Sequence, residues 1–408
     1  MARPVATHEP TVRRSARLWT RDLSYYATAR LVSLFGDAML PIGLMAAVLA
    51  LGYGATGVGL VLAAEMLPFA LLVLFGGVLA DRFTPRPMMV GADVVRLGLQ
   101  VFTGAVLLVG HPALWLLMAL SAVSGAATAM FQPGVASLVP QVSQDVQRAN
   151  GVLRIAEAFA SIAGPTIAAV VIAVAGVPAV FWANAATYAV SAVCLLMLRL
   201  APAIRRAAAE SMVHRLRAGW REFRSRTWLW MVIVAWVVAG ITMFGPIRPL
   251  TAVLIVGQHG TSALGLVWAM FGAGNLLGGL AAMRIRPRRP LAAGAAAMLA
   301  WMLMPLANAA ALPLWGVAVC FLIGGACWAF WSVMWATTVQ TKVPADLLNR
   351  LYAYDVAGSI IAIPIGQALA GPVSDLLGAR TAQAGSAAIG VALFALLLCV
   401  PAVRRLTR

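Results

Sequence analysis

The sequence predicts an all-α polytopic membrane protein, with twelve transmembrane helices in two pseudo-symmetric six-helix bundles. Three observations lead to this fold class. Hydrophobic residues make up 62% of the chain and charged residues 11%, which is typical of membrane proteins rather than soluble domains. Twelve apolar runs are long enough to cross a bilayer, at about 20 residues each. A motif at the end of the second run recurs at the end of the eighth, which indicates a duplicated half.

The apolar runs divide the chain into two sets of six. We expect a cytoplasmic tail over 1–22, a first bundle over 23–198, a linker over 199–227, a second bundle over 228–403 and a tail over 404–408. The predicted spans are 24–51, 57–80, 88–109, 113–137, 150–175, 177–198, 228–256, 261–283, 291–309, 312–338, 351–372 and 382–403.

Basic residues predict the orientation. They cluster in both tails, in the linker and in the loops that follow even-numbered spans, whereas the opposite loops carry Arg380 alone. The positive-inside rule therefore places both termini in the cytoplasm, and we expect a multi-pass protein of the cell inner membrane. The net charge of +17 then reflects topology, and no nucleic-acid partner is expected.

The linker contains a predicted amphipathic helix over residues 210–226. Met212, Leu216, Trp220 and Phe223 form its apolar stripe, with arginines on the opposite face. Such a helix lies on a membrane surface. It either joins the two bundles only or also binds anionic lipid.

The repeated motif lies at residues 76–87 and again at 278–289, after an offset of 202 positions. Small residues at its start allow two helix ends to approach closely. The carboxylate of Asp81 can accept a hydrogen bond from a neighbouring helix N-terminus or an arginine, but the second copy has Met283 at that position. A conformational gate is predicted here, and a charged turn that only fixes topology is the alternative. The gate residues are Gly77, Asp81, Arg82 and Arg86.

The first copy resembles the signature loop between helices 2 and 3 of the major facilitator superfamily, Gly-x-Leu-Ala-Asp-Arg-x-Gly-Arg-Arg. Thr84 and Pro87 depart from that pattern. The resemblance implies the major facilitator fold and movement of a substrate by alternating access. The matching residues are Gly77, Leu79, Ala80, Asp81, Arg82 and Arg86.

Two further motifs resemble the export branch of this superfamily. Gly164 and Pro165 in the fifth span resemble the start of the Gly-Pro-x-x-Gly-Gly signature of drug–proton antiporters, with alanines as the closing pair. The segment 131–134, Phe-Gln-Pro-Gly, is similar to macrolide and siderophore exporters. The antiporters' helix-4 arginine is replaced by Ser121, which shifts the expected proton site elsewhere.

Asp37 is the first candidate for proton coupling. It lies roughly 20 Å along the first span at about 1.5 Å per residue. An ionised group near a helix centre costs about 2.5–3.5 kcal/mol on insertion scales, so a retained one is a functional candidate. Its neighbours in sequence supply no cation, and a carboxylate buried without a cation takes up a proton more readily. The alternative is a neutral acid that makes a helix–helix hydrogen bond.

Two charges lie nearer the outer ends of their spans. Glu65 is the second candidate for a proton or a substrate cation, unless it snorkels to the outer surface. Arg248 lies between Pro246 and Pro249 in the seventh span. We expect it to contact lipid headgroups, and an external gate is the alternative.

Two charged pairs lie nearer the cytoplasmic face, Asp93 with Arg96 and Arg154 with Glu157. Their i, i+3 spacing predicts that each pair compensates its own charge. Together with the hairpin of Asp81, they are predicted to form a network that holds the cytoplasmic side shut.

The predicted substrate cavity is aromatic and sparsely polar. Trp328, Trp331 and Trp335 share one helical face. If they face the cavity, they form a wall for a large amphiphile or a cation. If they face lipid, they only fill space at the protein surface. The sequence leaves both orientations open. Uncharged polar residues in or near the spans complete the set: Asn184, Gln132, Asn275 and Gln367.

The expected function is secondary transport of a small molecule. The chain lacks a Gly-x-x-x-x-Gly-Lys-Ser phosphate loop, so a proton gradient is the expected energy source, with sodium as the alternative ion. Few polar side chains favour export of hydrophobic or amphiphilic compounds over uptake of hydroxylated ones. A siderophore, nutrient or metabolite carrier of the same fold is the alternative, and a non-transporting scaffold is disfavoured.

No enzyme activity, metal or cofactor is expected, because the four histidines and four cysteines are dispersed. The expected partners are the substrate, protons and membrane lipid. A monomer suffices, because two bundles enclose a cavity without a second copy.

Overall fold

The structure is a computed structural model that describes residues 20–82, 84–143, 145–200, 226–343 and 345–407. Side chains are described throughout these ranges except at 74–82, 133, 136, 147–148, 340 and 345–360. The predicted linker helix and most of the N-terminal tail lie outside the described residues. The same holds for the side chains of Asp81 and Arg82 and for the surroundings of Gly77.

The described chain is helical, as predicted. Eleven of its helices are long and apolar enough to cross a membrane, and α11 contains a shorter apolar stretch, Ile361–Leu377. The helices are α1 (Arg21–Ala50), α2 (Gly54–Arg82), α3 (Pro85–Val109), α4 (Leu114–Val142), α5 (Val146–Ala175), α6 (Val177–Leu196), α7 (Thr227–His259), α8 (Thr261–Arg284), α9 (Pro290–Ala309), α10 (Leu314–Lys342), α11 (Ala345–Leu377), α12 (Ala379–Cys399) and a last turn, α13 (Pro401–Arg404).

Both ends of the described chain lie on one side of the membrane, here called the termini side, and the opposite side is called the far side. Connections on the far side are very short. Three of them consist of a single glycine between two helices. These are Gly176, Gly260 and Gly378, with φ of +81°, +79° and +83°. Only glycine adopts this left-handed backbone at little cost, so these residues allow a helix to reverse within one position.

Helices α1–α6 pack as one bundle and α7–α12 as another. Two seams join the bundles, α2 against α11 and α5 against α8. The sequence repeat places α2 and α8 at equivalent positions in the two halves, so the seams are related by the pseudo-symmetry of the fold.

The seams are close backbone contacts. Gly59 of α2 lies against the carbonyl of Gln367 in α11, and Gly272 of α8 lies against the carbonyl of Ser161 in α5. A Cβ atom at either glycine would overlap that backbone. Small residues therefore set the distance between the bundles, as in other membrane helix pairs.

Helix α7 is interrupted midway along its length. A π-helical turn at Gly240–Phe244 separates Thr227–Ala239 from Ile247–His259, and Pro246 follows directly. A proline and a π turn both remove regular backbone hydrogen bonds and bend a helix. The bend brings the next residues of α7 to the centre of the molecule, where they line the cavity described below.

The apolar core differs between the two sides. One cluster of buried residues runs through both bundles and includes Met45 and Val58 of the first with Ile255 and Leu264 of the second. A separate cluster, around Met89, fills the termini-side half of the first bundle and contains no described residue of the second. Apolar packing therefore closes the space between the bundles from the far side.

Candidate functional site

A cavity of about 510 Å³ lies between the two bundles. This size suits a drug-sized ligand, and cavities between helix bundles are common ligand sites. Its charged lining residues, among those described, are Asp37, Glu65 and Arg248. The aromatic lining residues are Phe69, Tyr188, Phe244, Trp268, Phe271, Trp301 and Trp328, joined by Thr128, Gln132 and Gln367 as uncharged polar groups.

Asp37 of α1 reaches the cavity, and its side chain is 32% exposed. One oxygen, Oδ1, accepts a hydrogen bond from the Tyr188 hydroxyl of α6 at 2.8 Å and lies 3.2 Å from Nη1 of Arg96. The expectation that Asp37 lacks a cation is therefore wrong. Its partner comes from α3, beyond the reach of any inference based on neighbours in sequence.

Arg96 is fully buried and holds two carboxylates at once. Its Nη2 donates to Asp93 Oδ1 at 2.5 Å, and the Ser191 hydroxyl donates to the other Asp93 oxygen at 2.6 Å. The guanidinium carbon lies 4.2 Å from the ring centre of Tyr188 and 4.7 Å from that of Phe131. Aromatic faces and charged hydrogen bonds together compensate the burial of this cation.

The Asp93–Arg96 pair was predicted as part of a network on the cytoplasmic side. The structure extends the pair inward to Asp37, which lines the cavity. The predicted link to Asp81 lies outside the described side chains. Two carboxylates share one guanidinium, which leaves one negative charge in excess when both are ionised. Because Asp93 is fully buried and Asp37 lines the cavity, a proton that enters from the cavity reaches Asp37 first.

Glu65 and Arg248 face the same cavity from opposite bundles, α2 and α7. Glu65 does not snorkel to the outer surface. The expectation that Arg248 contacts lipid headgroups is also wrong, because its guanidinium carbon lies 4.8 Å above the ring of Trp268. The bend in α7 explains the difference, since it turns this part of the helix toward the centre.

Of the four predicted amide side chains, two line the cavity, Gln132 of α4 and Gln367 of α11. Asn184 is fully buried and packs on Gly36 of α1, where it accepts a hydrogen bond from its helix neighbour Thr187. Asn275 donates to the carbonyl of Phe271 at 3.2 Å and stays within its own helix. Neither asparagine is a cavity residue.

The three tryptophans of α10 divide between two environments. Trp328 lines the cavity. Trp331 is 3% exposed and stacks on Trp236 of α7 at 4.5 Å, and Trp335 packs edge-on against Trp228 at 6.0 Å. Of the two orientations left open by the sequence, the cavity-facing one holds for Trp328 alone. Trp331 and Trp335 pack into the core of the second bundle.

The second predicted charge pair lies nearer the surface. Arg154 is 82% exposed and donates to Glu157 at 2.7 Å. Buried Arg30 of α1 approaches the other oxygen of Glu157 at 4.0 Å, and its guanidinium carbon lies 5.4 Å from the ring centre of Phe131. Phe131 therefore contacts two arginines, one from each charge cluster.

Gly164 and Pro165 lie where three helices meet. Gly164 packs on Ala38 of α1, next to Asp37, and the carbonyl of Pro165 contacts Gly265 of α8. Arg86, from the repeated motif, donates to the carbonyl of Leu196 at the end of α6. These contacts link the resemblance motifs of the first bundle to the seam and to α6.

Several cavity residues were missed by the sequence interpretation: Tyr188, Trp268, Phe271, Trp301 and Thr128. A tyrosine hydroxyl in an otherwise apolar span was a signal for Tyr188. The other four have no local signal, because aromatic and small polar residues also occur on lipid-facing and core positions.

A two-bundle helical membrane protein with charged groups around a central cavity is built as a secondary transporter. The chain belongs to the Major Facilitator Superfamily, whose family model matches residues 26–358. The multi-pass transporter class expected from the sequence is thereby confirmed, and the finer antiporter branch stays a prediction.

Two similar proteins come from Bacillus subtilis (strain 168), both described as uncharacterized MFS-type transporters. YfiS is 26% identical over 341 residues, which cover 78% of this chain and 79% of YfiS. YvqJ is 29% identical over 142 residues, which cover 34% of this chain and 34% of YvqJ. The match therefore spans about a third of that relative.

Solved structures show the same fold at low identity. The nucleoside transporter NupG has a TM-score of 0.74 at 12% identity, with 92% of this chain and 98% of NupG covered. A bacterial homologue of the human lysosomal transporter Spinster, in an inward-facing and unoccupied conformation, has a TM-score of 0.65 at 14% identity, with 95% and 96% covered.

Proposed function

We propose that the protein is a proton-coupled exporter of amphiphilic small molecules that works by alternating access. Asp37 is the proton-coupling residue, and Glu65 is the second ionisable group of the same cavity. The protein lies in the cell inner membrane with both termini in the cytoplasm, and it acts as a monomer.

The observation that carries the proposal is the sharing of Arg96 by Asp37 and Asp93. Asp93 is held at 2.5 Å by Arg96 and at 2.6 Å by Ser191. Asp37 has the longer contact of 3.2 Å to Arg96 and is open to the cavity. A proton on Asp37 therefore breaks the weaker of the two ion pairs and leaves Arg96 and Asp93 as a neutral pair.

Protonation of Asp37 changes contacts on three helices. Arg96 of α3 and Tyr188 of α6 both lose a charged acceptor on α1. Hydrogen bonds to charged groups contribute about 1.5–3 kcal/mol each, enough to shift the balance between two conformations of a carrier. One proton that moves through about 100 mV releases about 2.3 kcal/mol, and one pH unit adds about 1.4 kcal/mol.

The lining of the cavity supports an amphiphilic rather than a strongly hydrophilic substrate. Seven aromatic side chains face it, and Gln132 and Gln367 are its amide groups. A hydroxylated nutrient would need more polar partners to replace its hydration. The carrier alternative required Asn184 and Asn275 at the cavity as well, and both lie elsewhere.

Inverted vesicles with an imposed pH gradient test this function. Accumulation of a panel of fluorescent cationic, neutral and acidic amphiphiles is compared between the wild type and Asp37→Asn. We expect gradient-driven accumulation by the wild type, and its loss in the variant with ligand binding retained. Asp22→Asn is the matched control, because Asp22 accepts a hydrogen bond from the Arg199 backbone at 3.1 Å outside the cavity.

Unchanged accumulation in Asp37→Asn would refute its coupling role. If the wild type accumulates none of the compounds, the exporter proposal fails and the nutrient-carrier alternative gains. A gradient of sodium that drives transport at constant pH would replace the proton as the coupling ion.

A further inference from the structure

Arg248 is a cation without a carboxylate partner in contact. Among the described residues, no carboxylate lies within 4.0 Å of its guanidinium. Its neighbours in α7 are apolar, with Ile247, Pro249 and Leu250 buried. An arginine at this depth is costly in a membrane protein unless a group in the cavity compensates its charge.

The orientation of Arg248 suits an anionic ligand. Its guanidinium lies over the face of Trp268, with 4.8 Å between the carbon and the ring centre. Among the described residues no carboxylate accepts from its N–H donors, so these are available to a ligand. These donors form a planar fork that matches the two oxygens of a carboxylate.

Aromatic rings line the cavity that holds this cation. Phe271 packs edge-on against Trp268 at 5.6 Å, and Phe244 packs edge-on against Trp301 at 5.2 Å. These residues line the same cavity as Arg248. An acidic head on Arg248 would therefore place the rest of a ligand against a largely apolar and aromatic surface.

Glu65 is the carboxylate whose charge a bound anion would meet in the cavity. It faces the cavity from α2, and its charge attracts that of Arg248. The other groups around Glu65 are Asp37 from α1 and the uncharged Gln100 from α3 and Ser124 from α4. A ligand carboxylate beside an ionised Glu65 would be repelled, so binding of the anion favours a proton on Glu65.

We propose that the substrate is an amphiphile with an acidic head and an apolar or aromatic body, and that Arg248 on Trp268 binds this head. The proposal rests on the transport function of the same cavity and names its substrate class. An ionised Glu65 repels the ligand carboxylate, so the acid binds best when Glu65 carries a proton. This proton on Glu65 is separate from the coupling proton on Asp37.

Calorimetry on the purified full chain tests the proposal without any gradient. The probes are naphthalene-2-acetic acid, its amide and 2-(2-naphthyl)ethylamine, which share a ring and differ in the head. The wild type is expected to prefer the acid, and Arg248→Gln to lose roughly 10- to 100-fold in affinity for the acid alone. Arg380→Gln is the matched control, because this exposed far-side arginine does not line the cavity.

Two further measurements keep the proposal falsifiable. Arg248→Lys retains the charge without the planar fork, so we expect an intermediate loss of acid affinity. In the pH range where Glu65 is ionised in the unbound protein, acid affinity of the wild type should rise about tenfold for each unit of pH decrease. Glu65→Gln should bind the acid with little dependence on pH.

The proposal is overturned if the wild type binds acid and amide equally, or if neither Arg248 variant loses acid affinity. The same holds if the acid fails to bind at millimolar concentration. Binding that depends on Arg248 without gradient-driven transport would leave this assignment standing and refute the exporter. Gradient-driven transport of cations and neutral compounds, with no binding of acids, would support the exporter and refute the assignment of Arg248.

Discussion

Replacement of Arg96 by methionine should strongly destabilise the protein. The change removes the cation shared by Asp37 and Asp93 but keeps a side chain of similar length. Asp93 is fully buried and would keep Ser191 as its remaining donor. Loss of one partner from a buried ion pair typically costs about 3–5 kcal/mol. We therefore expect the unfolding temperature to fall by roughly 5–10 °C.

The cysteines of the chain provide the assay. Cys194 of α6 is buried among the residues that pack beside the network, whereas Cys399 is exposed. In a Cys399→Ser background, a fluorogenic maleimide reports unfolding during a temperature ramp. Asp93→Asn should restore most of the stability lost in Arg96→Met, since it removes the orphaned charge.

A surface arginine provides the matched control. Arg154→Met removes the other i, i+3 pair of the first bundle, but Arg154 is 82% exposed. Exposed ion pairs contribute about 0–1 kcal/mol, so its unfolding temperature should stay close to that of the wild type. Equal stability of Arg96→Met and the wild type would refute the reasoning, as would a double variant no more stable than Arg96→Met.

Three further variants test individual contacts. Trp331→Ala should destabilise the second bundle by about 3–5 kcal/mol. Trp328→Ala should weaken ligand binding with little change in unfolding temperature. Equal effects of the two variants on stability would contradict the assignment of Trp328 to the cavity and Trp331 to the core. Gly272→Leu should push α8 away from the carbonyl of Ser161 and lower the yield of cross-links between cysteines placed at the far-side ends of α5 and α8. Tyr188→Phe removes the hydrogen bond that ties α6 to Asp37 of α1, so the rate of transport should fall while folding is retained.

Most of the fold follows from the sequence because membrane helices have a strong local signal. The span predicted at 57–80 is α2 (Gly54–Arg82), and the repeat predicted the duplicated bundle. Residues beyond the apolar runs extend the helices, since polar residues continue a helix outside the hydrocarbon layer. Glycine and proline indicated kinks in general, but the π turn in α7 has no sequence signal of its own.

The site was predictable only in part, because its contacts cross between helices. Asp37 and Glu65 stood out as charges in apolar runs. Arg96 was paired with Asp93 by spacing alone, although its side chain is long enough to reach Asp37 on another helix as well. Local spacing cannot distinguish this deep pair from the exposed pair of Arg154.

The α10 tryptophans show a second limit. Periodicity places Trp328, Trp331 and Trp335 on one face of the helix, but it says nothing of the level in the membrane. Seven positions at about 1.5 Å each separate the first from the last by roughly 10 Å. One end of the stripe therefore reaches the cavity and the other lies in the bundle core.

The glycine contacts between the bundles have a mechanical consequence. At Gly59 and Gly272, the facing partners are main-chain carbonyls rather than interlocked side chains. At these two positions no interlocked side chain opposes a small tilt or slide of one helix over the other. Under the proposed alternating access, these seams are the surfaces along which the two bundles would tilt against each other.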